Sequence, residues 1–125
     1  MQNLDKKKFS IIKRAESFTH AGRGVFIFLK TTHNVWIQIL IFIIAVFLGF
    51  YFEITGIEWI ILIFVSGFVF VSEAFNTAIE IDINLTSPEY HPYARDTKDV
   101  AAGAVLISAI VAVTVGIIIF EHYIL

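Results

Sequence analysis

Two carboxylates and an amide lie close together near the end of an apolar stretch that begins at Ile57: Glu73, Asn76 and Glu80. If this stretch is a helix, spacings of i, i+3 and i+7 place all three on one face. Ionisable side chains in an apolar helix of membrane length are costly to bury and usually mark a functional site. Glu80 and the nearby Asp82 are also compatible with solvated residues beyond a membrane edge, whereas apolar residues surround Glu73 and Asn76.

These residue types suit phosphoryl transfer. Carboxylate and amide oxygens are the ligands that Mg²⁺ prefers, and Lys98, together with basic residues near the N-terminus, suits phosphate. Glu73, the deepest carboxylate, suits a general base acting on a hydroxyl. Together they predict phosphoryl transfer from a cytoplasmic nucleotide to a membrane lipid. The sequence contains no Walker-type glycine-rich loop and no soluble-kinase signature.

Composition limits the class of protein. The chain has 125 residues, 58% of them hydrophobic, and a mean hydropathy of +0.81. It is therefore too apolar for an ordinary soluble domain and too short for more than one domain, so residues 1–125 are expected to form a single membrane domain. The absence of cysteine excludes a disulfide framework, a thiolate nucleophile and a cysteine-based metal site. No cleavable signal peptide is expected.

Three segments have the length and apolarity of membrane spans: about 35–52, 59–79 and 100–120. The first would rise about 27 Å as a helix, close to the ~30 Å thickness of the hydrocarbon layer. Small residues in the third allow close helix packing in lipid.

A long polar loop, 84–99, precedes the third span. Pro88 and Pro92 are expected to break any helix there, so that the next helix starts around Asp96 or Thr97, either of which can cap it.

Residues 5–30 mix apolar and basic side chains at helical spacing, which predicts an amphipathic helix in the membrane interface. Gly22 and Gly24 suggest a bend or a close backbone approach. The helix is compatible with a plain basic anchor to anionic lipid, and also with contact to an anionic nucleotide.

The basic residues predict the orientation. All nine Lys and Arg residues lie before the first span or in loop 84–99, so the positive-inside rule puts the N-terminus and this loop in the cytoplasm. The polar ends of the second and third spans then meet at the cytoplasmic surface. The residues expected within reach of one another are Glu73, Asn76, Glu80, Lys98 and Asp99.

The segment Glu73-Ala-Phe-Asn-Thr-Ala-Ile-Glu80, followed by His91 and by Lys98-Asp99, resembles the signature of the small bacterial integral-membrane lipid kinases, the diacylglycerol kinase and undecaprenol kinase family. The resemblance covers nearly the whole chain. It implies an all-α homotrimer of three-span subunits in the bacterial inner (cytoplasmic) membrane, each subunit with one surface helix, and active sites between neighbouring subunits. It also implies ATP as co-substrate, Mg²⁺ and a lipid acceptor; no nucleic-acid partner is expected.

The resemblance also implies roles for individual residues. Glu73 corresponds to the catalytic base, Asn76 helps to organise the site, and Glu80 holds the metal on ATP. His91 lies in a loop that covers the nucleotide, although it is equally compatible with a solvated loop histidine. The nucleotide-binding residues implied in this way are Lys98, Asp99, Lys13, Ser17, Phe18 and His91.

Two positions depart from the family pattern. The family usually has a glutamate that shares the metal just before His33, where this chain has Thr32, a weaker and neutral Mg²⁺ ligand. It often has an aspartate at the position of Asn84. A non-catalytic relative that binds nucleotide or lipid is therefore the alternative to an ATP-dependent lipid kinase. A channel or transporter lined by Glu73 and Glu80 fits less well, because the polar residues cluster at one membrane face. The generic apolar residues of the spans do not distinguish diacylglycerol from undecaprenol.

Overall fold

Helices form almost all of the described chain. A computed structural model describes residues 2–125, with side chains described from Ser10 onward. The helices are α1 (Gln2–Thr31), α2 (Val35–Tyr51), α3 (Gly56–Thr86) and α4 (Pro92–Ile124). Residues 2–125 contain no strand, which confirms the all-α prediction. Contacts divide the chain into two units, Met1–Thr31 and Thr32–Leu125, so that α2, α3 and α4 share one unit.

The first helix is continuous where the sequence suggested a bend. Gly22 and Gly24 both lie within α1, and a Cβ atom added at either would meet no atom within 4 Å. Each glycine weakens a helix by about 1 kcal/mol relative to alanine. The other residues of this 30-residue helix compensate for that loss. Side chains from Ser10 to Phe26 are exposed. The helix therefore continues through both glycines, and within the described chain no backbone approaches them closely.

A tight turn joins α2 to α3. The second helix ends at Tyr51, close to the predicted end of the first span, and Glu53 takes a left-handed conformation with φ of 52°. Thr55 then caps α3: its hydroxyl accepts from the N–H of Glu58, and the Glu58 carboxylate accepts from the N–H of Thr55. This reciprocal pair is a capping box.

The fourth helix starts earlier than the sequence suggested. It begins at Pro92, because proline needs no N–H donor at the first helical position. His91 caps it, with Nδ1 accepting from the N–H of Tyr93 at 3.1 Å. The Thr97 hydroxyl donates to the Tyr93 carbonyl within the helix instead. The predicted start around Asp96 or Thr97 is therefore wrong.

Two helices, α3 and α4, are long and apolar enough to cross a membrane. The 17-residue α2 qualifies only when it is taken with part of α1 as one broken span. Many large apolar side chains of α3 and α4 are exposed, including Phe64 and Ile117. Such a surface suits contact with lipid, since the helices already pair their own backbone groups.

The buried core lies where the α2–α3 turn meets the end of α4. Its members are Ile54, Leu62, Ile119 and Phe120. A polar contact closes this end of the bundle: the Tyr123 hydroxyl donates to the Glu58 carboxylate, and His122 lies 3.4 Å from the same group. The Tyr123 bond, with the Thr55 N–H, lowers the pKa of Glu58, and it raises the pKa of Tyr123. Both residues lie outside the predicted spans and tie the start of α3 to the end of α4.

Gly49→Ala should destabilise the protein. Gly49 is buried, and an added Cβ would lie 2.6 Å from the indole ring of Trp59 on α3. Overpacking of this kind costs about 1–3 kcal/mol, more than the ~1 kcal/mol that alanine adds to helix propensity. Unfolding of the purified protein in detergent would measure the loss. Gly67→Ala is the matched control, because an added Cβ there meets nothing within 4 Å. A Gly49→Ala protein as stable as the Gly67→Ala protein would contradict the packing argument.

Candidate active site

The candidate site follows one face of α3. Glu73, Thr77, Glu80 and Asn84 are spaced at i, i+4, i+7 and i+11, and Asn76 lies beside them at i+3. We call these five residues the polar stripe. A rise of 1.5 Å per residue separates Glu73 from Asn84 by roughly 16 Å along the helix axis.

Glu73 is the most deeply placed carboxylate of the stripe. Its residue is 6% exposed. The Gln38 amide on α2 donates from Nε2 to Glu73 Oε2 at 3.3 Å. A buried carboxylate with a hydrogen-bond donor beside it is held in place while it can still accept a proton.

Asn76 is joined to Glu80 one turn further along α3. Its Nδ2 donates to Glu80 Oε1 at 3.4 Å. The Asn76 Oδ1 atom is buried and has no hydrogen-bond partner among the described residues. Buried acceptors are normally paired, so this oxygen is suited to a group that is not part of the single chain.

Thr32 is hydrogen-bonded to Thr77, a residue of the stripe. Its hydroxyl lies 2.6 Å from the hydroxyl of Thr77, and both residues are buried. This pair fixes the segment before α2 against α3. The position where the family resemblance implied a metal-binding glutamate therefore carries a side chain that hydrogen-bonds within the fold.

Lys98 and Asp99 have separate partners. Lys98 Nζ donates to Asn84 Oδ1 at 2.7 Å, and Asp99 forms an exposed ion pair with Arg95 at 3.8 Å. Within the described part of the chain, no side-chain hydrogen bond or ion pair joins Lys98 or Asp99 to Glu73, Asn76 or Glu80. The stripe thus carries the buried Glu73 carboxylate at one end and binds Lys98 at the other.

A cavity of about 280 Å³ lies beside Lys98. It is formed by the end of α3, the loop before α4 and the first turns of α4. Its polar lining residues include Asn84, Ser87, Glu89, Tyr90, His91, Arg95, Lys98 and Asp99. His91, predicted as a loop residue, both lines this cavity and caps α4.

Three further candidates lie on α1, in the other unit. The Ser17 hydroxyl donates to the Lys13 carbonyl at 2.8 Å, so it is engaged by its own helix. The Phe18 side chain is 81% exposed.

The donor set contains oxygen ligands but no dense metal cluster. Among the described side chains, no group of three His, Asp or Glu residues is placed to hold a metal ion. Glu80 and the unpartnered Asn76 Oδ1 are adjacent on the stripe.

Comparisons with known proteins identify the family. The family model for prokaryotic diacylglycerol kinase matches residues 19–120. The undecaprenol kinase of Bacillus subtilis (strain 168) is 37% identical over 105 residues, which cover 84% of this chain and 85% of that protein. This chain belongs to the prokaryotic diacylglycerol kinase family.

Two further similar proteins are named diacylglycerol kinase. A diacylglycerol kinase of Synechocystis is 36% identical over 101 residues, or 80% of this chain and 58% of that longer protein. The diacylglycerol kinase of Escherichia coli (strain K12) is 33% identical over 82 residues, or 65% of this chain and 67% of that protein. No solved structure matches the chain.

Membership in the prokaryotic diacylglycerol kinase family confirms the resemblance drawn from the sequence. The protein is a membrane-embedded lipid kinase, whose reaction takes a lipid and a nucleotide phosphate donor. The match begins at Thr19, so it covers the polar stripe and Lys98 but not Lys13, Ser17 or Phe18.

Two contacts in this family member were missed by sequence reasoning. No role was assigned to Gln38 or to Thr77 from the sequence. A lone amide in an apolar span is costly without a partner, and this signal could have singled out Gln38. No sequence signal identified the Thr32–Thr77 pair, because 45 positions separate the two residues.

Thr77→Val should destabilise the protein by about 1–3 kcal/mol, because the buried Thr32 hydroxyl would lose its partner. Thr32→Val combined with Thr77→Val should restore most of that loss, since both hydroxyls are then absent. A double-mutant cycle on unfolding in detergent measures the coupling. Strictly additive single effects would show that the two hydroxyls do not depend on each other.

Proposed function

We propose that this protein is an ATP-dependent kinase that transfers the γ-phosphate of Mg-ATP to the hydroxyl of a membrane lipid, either diacylglycerol or undecaprenol. The observation that carries the proposal is the buried carboxylate of Glu73. The Gln38 amide on α2 donates to this carboxylate, and the α3 stripe that contains Glu73 extends to the contact with Lys98. The two candidate acceptors are those in the names of the similar proteins.

In this mechanism Glu73 is the general base. It takes the proton of the lipid hydroxyl while the lipid oxygen forms a bond to the γ-phosphorus. The bond from that phosphorus to the β,γ-bridging oxygen breaks, and ADP leaves with the bonding electrons. The products are the lipid phosphate and ADP, and the proton on Glu73 is released to solvent afterwards.

The nucleotide is proposed to bind along the outer end of the stripe. An ammonium group has three N–H donors, and Asn84 takes one of those on Lys98, which leaves donors for phosphate. The adjacent cavity of about 280 Å³ supports this placement. Asp99 and His91, which line it, are proposed to contact the nucleotide.

Three residues of α1 are also proposed to bind nucleotide. They are Lys13, Ser17 and Phe18, for which the family resemblance is the support.

The donors present fit a Mg²⁺ ion that arrives with the nucleotide. Such ions are usually held by one or two protein oxygens together with substrate phosphates and water. Glu80 would supply the carboxylate, and the unpartnered Asn76 Oδ1 lies beside it. The Thr32 hydroxyl is shared with Thr77 and adds no charge, so we give it at most a minor part in the metal shell. When bound, Mg²⁺ supplies charge neutralisation on the phosphates.

The placement of basic residues supports a cytoplasmic active site. We propose a multi-pass protein of the bacterial inner membrane with a cytoplasmic N-terminus and three spans, the first formed by α2. The proposed assembly is the homotrimer that the family resemblance implies.

Glu73→Gln should lower the kcat of lipid phosphorylation by at least about a hundredfold, because the amide cannot take the hydroxyl proton. The full-length protein would be purified in detergent and given radiolabelled ATP with diacylglycerol and undecaprenol in separate assays, with Mg²⁺ present or chelated. Label in one lipid only, and only with Mg²⁺, would identify both acceptor and metal requirement.

Glu121→Gln is the matched control, because Glu121 is an exposed carboxylate near the end of α4. It should leave the rate unchanged. If the wild-type protein labels neither lipid, the kinase proposal is wrong. If Glu73→Gln keeps the wild-type rate, Glu73 is not the base.

The alternative is a non-catalytic relative that binds nucleotide or lipid. The observation that favours it is the Thr32–Thr77 pair, which takes the place of a metal-binding carboxylate.

Thr32→Glu separates the two functions. Because Thr32 is buried and bonded, we expect the added carboxylate to break the pair and to give no gain in kcat. The same lipid-labelling assay measures the rate, and Thr31→Glu, at an exposed neighbouring position, controls for added charge. A large gain in kcat in Thr32→Glu, without a gain in Thr31→Glu, would show that the natural site is impaired. It would favour the hypothesis of a non-catalytic relative.

A further inference from the structure

Gln38 has one satisfied end and one unsatisfied end. Its Nε2 donates to Glu73 Oε2 at 3.3 Å. Its Oε1 is buried and has no hydrogen-bond partner among the described residues. The amide is therefore directed toward the carboxylate on α3 by its donor side alone.

An amide in this state does not favour folding. A typical hydrogen bond contributes only modestly to stability, whereas a buried acceptor without a donor is penalised by its lost hydration. Glutamines that mainly stabilise a fold are expected to satisfy both ends. The arrangement of Gln38 is thus better explained by what its donor does to Glu73 than by a contribution to stability.

Gln38 borders an apolar space between the helices. Gln38 lines a cavity of about 230 Å³ whose walls come from α2, α3 and α4 and are almost entirely apolar. Its lining includes Phe42, Phe70 and Ala109. A hydrogen bond to an ionised group is stronger where water is scarce, because nearby solvent does not screen it.

A carboxylate can rotate about its terminal bond and so present either oxygen. The Gln38 amide engages Oε2, and no hydrogen bond to Oε1 of Glu73 occurs within the described part of the chain. One oxygen is thus held and the other is left to accept a proton. Holding the acceptor atom in one orientation is a known source of rate in intramolecular proton transfer.

We propose that Gln38 is a positioning residue for Glu73: its amide N–H holds one carboxylate oxygen so that the other receives the proton of the acceptor hydroxyl. The inference rests on the proposed kinase function and adds to it a residue on α2. Gln38 acts through Glu73 and does not itself exchange a proton.

Gln38→Met tests this role, because methionine has nearly the same length and shape but no hydrogen-bond donor. Losing one hydrogen bond to a charged group should lower kcat by roughly tenfold to a hundredfold. The KM for ATP should stay within about twofold, since nucleotide binding is not touched. The unfolding midpoint in detergent should be unchanged or higher, since the unpaired acceptor is removed. A residue with a merely structural role would instead lower the midpoint along with the activity.

Gln38→His is the conservative variant, because an imidazole N–H at similar reach can still donate to Glu73. It should recover part of the kcat lost in Gln38→Met. Ile41→Met is the matched control: it puts methionine about one turn along α2, in the wall of the same cavity, without touching Glu73. It should keep the wild-type kcat.

Failure of the proposed kinase function and failure of the positioning role of Gln38 give different results. If the wild-type protein labels no lipid, the proposed function fails and the inference falls with it. If the wild-type protein and Ile41→Met label lipid and Gln38→Met does so at the wild-type kcat, the positioning role alone is overturned. Equal losses in Gln38→Met and Ile41→Met, or a lower unfolding midpoint in Gln38→Met, would also overturn it, because the effect would then be one of packing.

Discussion

The burial of the Glu73 carboxylate among apolar helices is the constraint on which the site depends. An ionisable group at this depth needs a donor, and the α3 helix cannot supply one because its own N–H groups are already paired. The donor comes from Gln38 on α2. The packing of α2 against α3, including the close approach of Gly49 to Trp59, therefore determines the surroundings of Glu73.

The length of α3 connects two different environments. The helix runs from the capped turn at Thr55 to Thr86, so the same face carries a buried carboxylate and, roughly 16 Å further on, a residue that holds Lys98. A single helix therefore links the buried Glu73 carboxylate to the contact with Lys98 near its other end. A site on one helix is positioned more accurately than a site on loops, because helical spacing is fixed by backbone hydrogen bonds.

Two polar atoms without partners among the described residues lie on this face of α3 or beside it on α2. Gln38 Oε1 and Asn76 Oδ1 are buried and unpaired within the described chain. Buried acceptors are normally paired, so each of these atoms weakens the fold. The aromatic and aliphatic cluster at the turn end of the bundle and the Glu58–Tyr123 contact contribute stability.

The sequence by itself determined the all-α class, the approximate extent of the apolar helices and the shared face of Glu73, Asn76 and Glu80. These features follow from local periodicity and apolar run length, which depend only on neighbouring residues. The family also followed from the sequence, because its motif is local. The predicted start of α4 was wrong, because a proline breaks the interior of a helix but is favoured in its first turn. Which of the two roles Pro92 takes depends on the capping residue before it.

Only the tertiary structure decided which side chains meet. The partnerships of Glu73 with Gln38 and of Thr32 with Thr77 join positions 35 and 45 residues apart. Periodicity places each residue on a face of its own helix, but it does not state how far one helix is rotated or shifted against another. That register comes from the packing of whole side-chain surfaces, and this packing makes a lone amide in α2 a partner of Glu73.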